Sequence, residues 1–155
     1  MTSVSDYGSK NTEVCVMEIR YEEKIPIEDY LRLRAAVGWL PMARKQAEYA
    51  VGKCFYSLCA YDGDRVIAMI RLLWNGDNSA YVADVIVDEA YRGNGIGSDM
   101  VKRVIRKLKD SMEEGYTVKL FLMAAQGKES FYEQFGFHTR PYAHSGAGMD
   151  QILQK

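Results

Sequence analysis

At 155 residues the chain has the length of one domain, able to bury a core without disulfides or a structural metal. Hydrophobic residues make up 48% and charged residues 26%, which excludes a disordered or membrane-embedded chain. A net charge of −1 lacks the excess of Lys and Arg with which nucleic-acid binders displace phosphate counterions, so no nucleic-acid partner is expected.

In chain order, residues 1–12 are polar and read as the flexible start of a single domain spanning 1–155. No basic region followed by an apolar run opens the chain, and no stretch nears the roughly 18 apolar residues of a membrane span. A cytoplasmic protein without a membrane partner is the expectation. Val14–Tyr21 alternates as a strand. Pro26 opens a helix over Ile27–Val37 that Gly38 stops, and Pro41 starts a second through about Val51. Three β-type runs follow: Cys54–Tyr61, turned by Asp62-Gly63-Asp64; Arg65–Trp74, turned by Asn75-Gly76; and Ala80–Val87. All three are apolar on both faces over part of their length, as strands covered by helices are.

The period then changes. From Gly95 to about Glu114, Ile96, Met100, Val104, Leu108 and Met112 recur every four residues, with Lys102, Arg103, Arg106, Lys107 and Lys109 between them. This is the strongest amphipathic helix in the chain, and Gly115 marks its stop. A strand over Thr117–Ala124 follows, then a short helix, Glu129–Phe135, ended by Gly136. Two short β-like pieces, near His138 and over Met149–Leu153, close the chain. The mixture predicts an α+β fold with an antiparallel N-terminal half and one β-α-β unit, Ala80–Ala124.

Cys15, Cys54 and Cys59 are odd in number and have no CxxC spacing, so reduced thiols are expected, with Cys54 and Cys59 on opposite faces of one strand. His138 and His144 are too few for a histidine metal cluster, and no metal is expected.

Between the third strand and the long helix lies Asp84-Val85-Ile86-Val87-Asp88-Glu89-Ala90-Tyr91-Arg92-Gly93-Asn94-Gly95-Ile96-Gly97-Ser98. Alternate glycines allow a tight turn and a close backbone approach to a ligand. The first amides of the helix, with its positive dipole end, suit a phosphate or diphosphate. The dinucleotide fingerprint would need glycine where Ser98 stands, and the nucleotide P-loop would need a Lys after Gly97. Glycines that merely shape a strand-to-helix turn remain the competing reading at this point.

Arg92-Gly93-Asn94-Gly95-Ile96-Gly97 resembles the Gln/Arg-x-x-Gly-x-Gly/Ala signature of the GNAT family of N-acetyltransferases. Phe131-Tyr132-Glu133-Gln134-Phe135-Gly136-Phe137 resembles the family's second signature, a Phe-Tyr-Glu helix closed by Gly-Phe. The two stand in the right order with a strand between them, and the resemblance covers Arg65 to Phe137. It implies a GNAT-like α+β fold: a central mixed, mostly antiparallel sheet of six or seven strands, flanked by about four helices. It also implies acetyl-CoA as cosubstrate and no metal. The backbone of Val85, Ile86 and Val87 would pair with the pantetheine arm, and Arg92, Gly93, Asn94, Gly95, Ile96, Gly97 and Ser98 would hold the diphosphate. Tyr132 would protonate the leaving thiolate. Where the family commonly has Asn, seven residues before that tyrosine, this chain has Ala125, so Gln126 is the expected substitute.

Acetyl transfer from a thioester needs a neutral amine, yet a free alkylamine has a pKa of about 10. The site must accept a proton, stabilise an oxyanion and return a proton to sulfur. The backbone N–H of Ile86 or Val87 is expected to serve the oxyanion. Asp84, a lone carboxylate in an apolar strand, is the expected base; an ordinary strand-end Asp bonded to backbone or a nearby Arg is the competing reading. Lys102, Arg103, Arg106 and Lys107 read as a solvated face, with the 3′-phosphate of CoA as the alternative. Glu22 and Glu23 read as surface charge, the alternative being attraction of a cationic amine. Trp39, Tyr30 and Trp74 are divided between an acceptor pocket and the core. The tail Arg140–Met149 either closes over the acceptor site or shapes a contact in a homodimer, a state frequent in the family. The expected acceptor is a small-molecule primary amine. A protein N-terminal or lysine acetyltransferase and a non-catalytic acetyl-CoA-binding module are the alternatives.

Overall fold

The computed structural model describes residues 17–154. Residues 1–12, Cys15 and the start of the Val14–Tyr21 strand lie outside them. The strands are β1 (Ile19–Glu22), β2 (Tyr56–Asp62), β3 (Arg65–Leu73), β4 (Ser79–Val87) and β5 (Lys119–Phe121). The helices are α1 (Ile27–Ala36), α2 (Arg44–Gly52), α3 (Ile96–Ser111) and α4 (Glu129–Glu133), with one 3-10 turn at Glu89–Tyr91. The strands lie in the order β1-β2-β3-β4-β5, antiparallel from β1 to β4 and parallel between β4 and β5.

Both faces of the sheet are covered. The apolar stripe of α3, Ile96, Met100, Val101, Val104 and Leu108, buries against Leu58, Ile67, Ile70 and Leu72. On the opposite face Tyr30 and Leu33 of α1 and Ala47 of α2 pack on Cys59, Val66, Met69 and Ile86. A fully buried Leu or Ile contributes about 1.5–3 kcal/mol, so two such layers account for a nearly all-apolar β3. The Cys59 thiol donates to the Lys24 carbonyl at 3.0 Å, and burial pushes it up to about 11, so it stays a thiol. Cys54 precedes β2 instead of sharing it, and donates to the Val51 carbonyl.

Three expectations need correction. Five strands, not six or seven, form the sheet among the described residues: neither the segment near His138 nor Met149–Leu153 pairs as a strand, and Tyr142–Ser145 is an isolated bridge. Alternating residues allow a strand, but only a hydrogen-bonding partner makes one. The run Thr117–Ala124 shrinks to Lys119–Phe121 for the same reason, since β4 offers its edge only from Ser79 to Tyr81. The second helix starts at Arg44, leaving Pro41 outside.

β4 departs from regular geometry at one place. Met69 pairs with Ile86 and Arg71 with Ala83, so two residues, Asp84 and Val85, oppose the single residue Ile70. Asp84 takes a left-handed φ of 51°, which costs a non-glycine residue about 1–2 kcal/mol. Such a bulge reverses side-chain alternation. Ala80 and Val82 accordingly pack under α3, whereas Ile86 packs under α1 and α2.

Candidate active site

Beyond Tyr81 the outer edge of β4 has no strand partner, and a cavity of about 650 Å³ opens between it and the segment after β5. Its lining joins Val85, Ile86 and Val87 of β4 to Arg92, Gly97 and Ser98 of the turn and to Phe131 and Tyr132 of α4. Val37 and Trp39, just past α1, also line it, beside Tyr81 and Asp84.

The glycine turn is built for this position. Gly93 and Gly95 have φ of 81° and 77°, and Gly95 is the N-cap residue of α3. Asn94 donates from its side chain to the carbonyls of Tyr91 and Arg92, bracing the turn. Asp99 N–H is the amide that bonds back to Gly95 O, so the amides of Ile96, Gly97 and Ser98 carry no intrahelical partner. Gly97 packs closely: a Cβ there would lie 3.4 Å from Phe131 Cζ and 3.5 Å from Val87 Cγ2, in van der Waals contact with both. Gly93, Asn94 and Gly95 lie outside the cavity lining and act on it through the turn they shape, while the Ile96 side chain is buried in the core.

Backbone alternation divides the two amides expected at the oxyanion. Asp88 N–H donates to the Ile67 carbonyl of β3, and the Val87 carbonyl accepts from Arg92 Nε on the opposite side. The polar groups of Val87 therefore face the cavity, and those of Ile86 face β3.

Asp84 sits in a buried charge cluster. Its Oδ2 accepts from Tyr30 Oη at 2.7 Å and Arg71 Nε at 2.6 Å, and its Oδ1 accepts from Arg34 Nη1 at 2.8 Å. Helix α1 and strand β3 thus grip the residue that bears the strained φ. Oδ2 is fully engaged, and Oδ1 keeps room for one more donor. Burial and the Asp84 bond push the Tyr30 phenol up to about 12. Arg71 also donates to the Ala50 carbonyl.

Tyr132 is 9% exposed and packs edge-on against Phe131 at 4.9 Å. Burial, then the neighbouring Tyr81, raises its phenol above the ordinary tyrosine value. Tyr81 and Tyr132 also line a second cavity of about 710 Å³, walled by β5 and by residues of the C-terminal tail including Arg140, Tyr142 and Met149.

Gln126 is not brought to the site: it is exposed in the turn after β5, and Ala125 and Lys128 line the cavity instead. The Ala125 carbonyl accepts the Lys128 N–H, a tight turn that points the intervening residues outward. Of the three aromatics considered for an acceptor pocket, Trp39 reaches the cavity; Tyr30 is buried against Asp84, and Trp74 packs on Phe55 and bonds the Asp77 carbonyl. Arg103 stacks over Tyr21 at 4.1 Å and pairs with Asp99, and Lys107 lies over Tyr56. Glu22 pairs with Arg20. Sequence reasoning missed Tyr81, Lys128, Arg34 and Arg71. Arg71 alone left a legible trace, as one charge inside the apolar run Val66–Leu73 across from the lone Asp84.

Among the described residues no group of three or more His, Cys, Asp or Glu could hold a metal ion, and no helix is long and apolar enough to cross a membrane.

A family model described as the acetyltransferase (GNAT) family matches residues 17–137. A probable acetyltransferase of unknown function from meticillin-resistant Staphylococcus aureus superposes with a TM-score of 0.77 at 28% identity, covering 88% of this chain and 100% of that one. A GNAT-family acetyltransferase from Streptococcus pneumoniae TIGR4 superposes with a TM-score of 0.69 at 32% identity, over 89% and 98% of the two chains. An uncharacterized N-acetyltransferase, ycf52-like, from Prochlorococcus marinus is 26% identical over 128 residues, 80% of this chain and 67% of that protein.

Proposed function

The chain belongs to the acetyltransferase (GNAT) family, and from that premise we propose that it transfers the acetyl group of acetyl-CoA to a primary amine of a small molecule by direct attack. What carries this reading is one cavity that joins free helix amides, an unpaired strand edge and Tyr132. The amides of Ile96, Gly97 and Ser98, with Arg92 beside them, suit the diphosphate. The edge of β4 beyond Tyr81 offers the pantetheine arm the strand-like pairing that β5 does not provide. The thioester carbonyl then lies along this edge, with the Val87 N–H available to its oxygen.

The neutral amine attacks the carbonyl carbon; the N–C bond forms and the carbonyl π electrons move to oxygen, where a fixed backbone donor stabilises them. Collapse breaks the C–S bond, and Tyr132 gives its proton to the leaving sulfur. A phenol held above its ordinary value keeps that proton at neutral pH. The amine sheds its proton to water or to the open position on Asp84 Oδ1. The strained bulge and its three donors make Asp84 foremost a positioning residue, holding β4 in the shape that exposes Val87.

The test follows free CoA thiol while acetyl-CoA is offered to small amines and to peptides. Thiol release with small amines is the expected result. Release with peptides alone would favour a protein acetyltransferase. Tight acetyl-CoA binding with no release from any amine would leave a non-catalytic binding module.

A further inference from the structure

The wall of the 650 Å³ cavity changes character along β4. Where the strand feeds the glycine turn stand Arg92, Gly97 and Ser98, the end assigned to the diphosphate. Toward the start of the strand the wall is apolar. Tyr81 pairs with Phe121, so Leu122 and Met123, which follow on the neighbouring chain, stand at that far end. Trp39 belongs there too: its ring lies 5.0 Å from the Arg34 guanidinium, which bonds Asp84 at 2.8 Å. The end of α1 fixes its place. Gly38 has a φ of 71°, and the N–H groups of Gly38 and Trp39 donate back to the carbonyls of Ala35 and Arg34, the paired bonds of a glycine-terminated helix. Trp39 thus arrives at the cavity, with Val37 beside it, still 36% exposed. Among the charged side chains of the lining, Arg92 flanks the turn, Lys128 is the N-cap residue of α4, and Asp84 is already held by three donors. The Tyr81 hydroxyl is engaged by the Met123 backbone.

We infer that the acceptor amine is carried on an apolar group, alkyl or aryl, and that Trp39 selects for that group. This rests on the acetyl-transfer reading above. With the diphosphate at the turn and the thioester along the β4 edge, the far end is the space left for the body of the acceptor. An apolar body there leaves water without losing a hydrogen bond and covers the uncovered part of the Trp39 ring. A distal hydroxyl or ammonium would be stripped of water against Val37, Trp39, Leu122 and Met123, whose side chains accept no hydrogen bond from it. Asp84 offers such a group little. Its Oδ2 is taken by Tyr30 and Arg71, and the open position on Oδ1 is the one that receives the proton of the reacting amine.

The experiment measures thiol release with pentylamine, aminobutanol and putrescine, which place a methyl, a hydroxyl and an ammonium at the same distance from the reacting amine. The expected kcat/KM for pentylamine exceeds those for the other two by on the order of tenfold to a hundredfold, the range in which an apolar pocket tells such isosteres apart. Trp39→Ala should shrink that preference to a few-fold, chiefly by raising KM for pentylamine. Trp39→Phe, which keeps an aromatic face, should retain most of it. Equal or better turnover of aminobutanol or putrescine by the unaltered protein overturns the inference, and this comparison stands even if Trp39→Ala fails to fold. A pentylamine preference that survives undiminished in a folded Trp39→Ala protein also overturns it. Absence of release with every acceptor, while acetyl-CoA binds, brings down the acetyl-transfer reading and this one together.

Discussion

Tyr132 and Tyr30 are both buried phenols held above the usual tyrosine range, yet their surroundings assign them different work. Tyr132 borders two cavities, whereas Tyr30 spends its hydroxyl on Asp84. Tyr132→Phe keeps the ring and its edge-on contact with Phe131 but removes the proton. We expect kcat to fall by roughly 10²–10⁴, with acetyl-CoA affinity unchanged, in a single-turnover assay of thiol release. Tyr30 predicts a stability effect. Its pKa rises from 10.0 to about 12 on folding, so above pH 10 the unfolded chain sheds this proton while the folded chain keeps it. Stability then falls as pH climbs from 10 toward about 12 and is fully present below that window. Urea midpoints across the range should show the decline, and Tyr30→Phe should make it shallower.

Elements, more than single side chains, build the site. Strand β4 turns through a bulge, α1 and β3 hold that bulge by its carboxylate, and α3 begins where β4 ends. The turn between β4 and α3 depends on backbone that only glycine adopts cheaply. Gly95→Ala places a Cβ at φ 77°, with open space around it, so strain and not a clash sets the cost. We expect a loss of about 1 kcal/mol in chemical denaturation, together with weaker acetyl-CoA binding by calorimetry, because the amides that follow Gly95 shift with it. A mutant that loses stability but binds acetyl-CoA as tightly as before would detach those amides from the diphosphate.

At the scale of the whole molecule, the two apolar layers hold the sheet while its β4–β5 seam stays open over most of its length. A cosubstrate filling that seam would stabilise the folded form alone. Acetyl-CoA at about 100 times its Kd should add about 2.7 kcal/mol and raise Tm, whereas free adenine nucleotides lacking pantetheine should add less at equal concentration. A thermal melt with and without ligand checks this. No rise in Tm at saturating acetyl-CoA would mean that the seam is not its site.

How much of this was legible beforehand depends on how local the cause is. The four-residue recurrence from Ile96 to Leu108, the Asp62–Asp64 turn and the alternate glycines at 93, 95 and 97 act within a few residues, and each appears in the fold close to where it was read. The placement of Tyr132 beside that turn also followed from linear signatures. Pairing across the chain did not. Whether Thr117–Ala124 becomes eight residues of strand or three depends on how long β4 stays alongside, and no local pattern announces that. The grip of Tyr30, Arg34 and Arg71 on Asp84 joins residues 13 to 54 positions apart. Backbone propensity and hydrophobic period are properties of neighbours in the chain, so the amino-acid order alone determined the long helix and the glycine turn before it. Compensation of buried charge and the completion of strand hydrogen bonds are properties of neighbours in space, so only the tertiary structure decided the open seam, the cluster behind it and which amide faces the cavity.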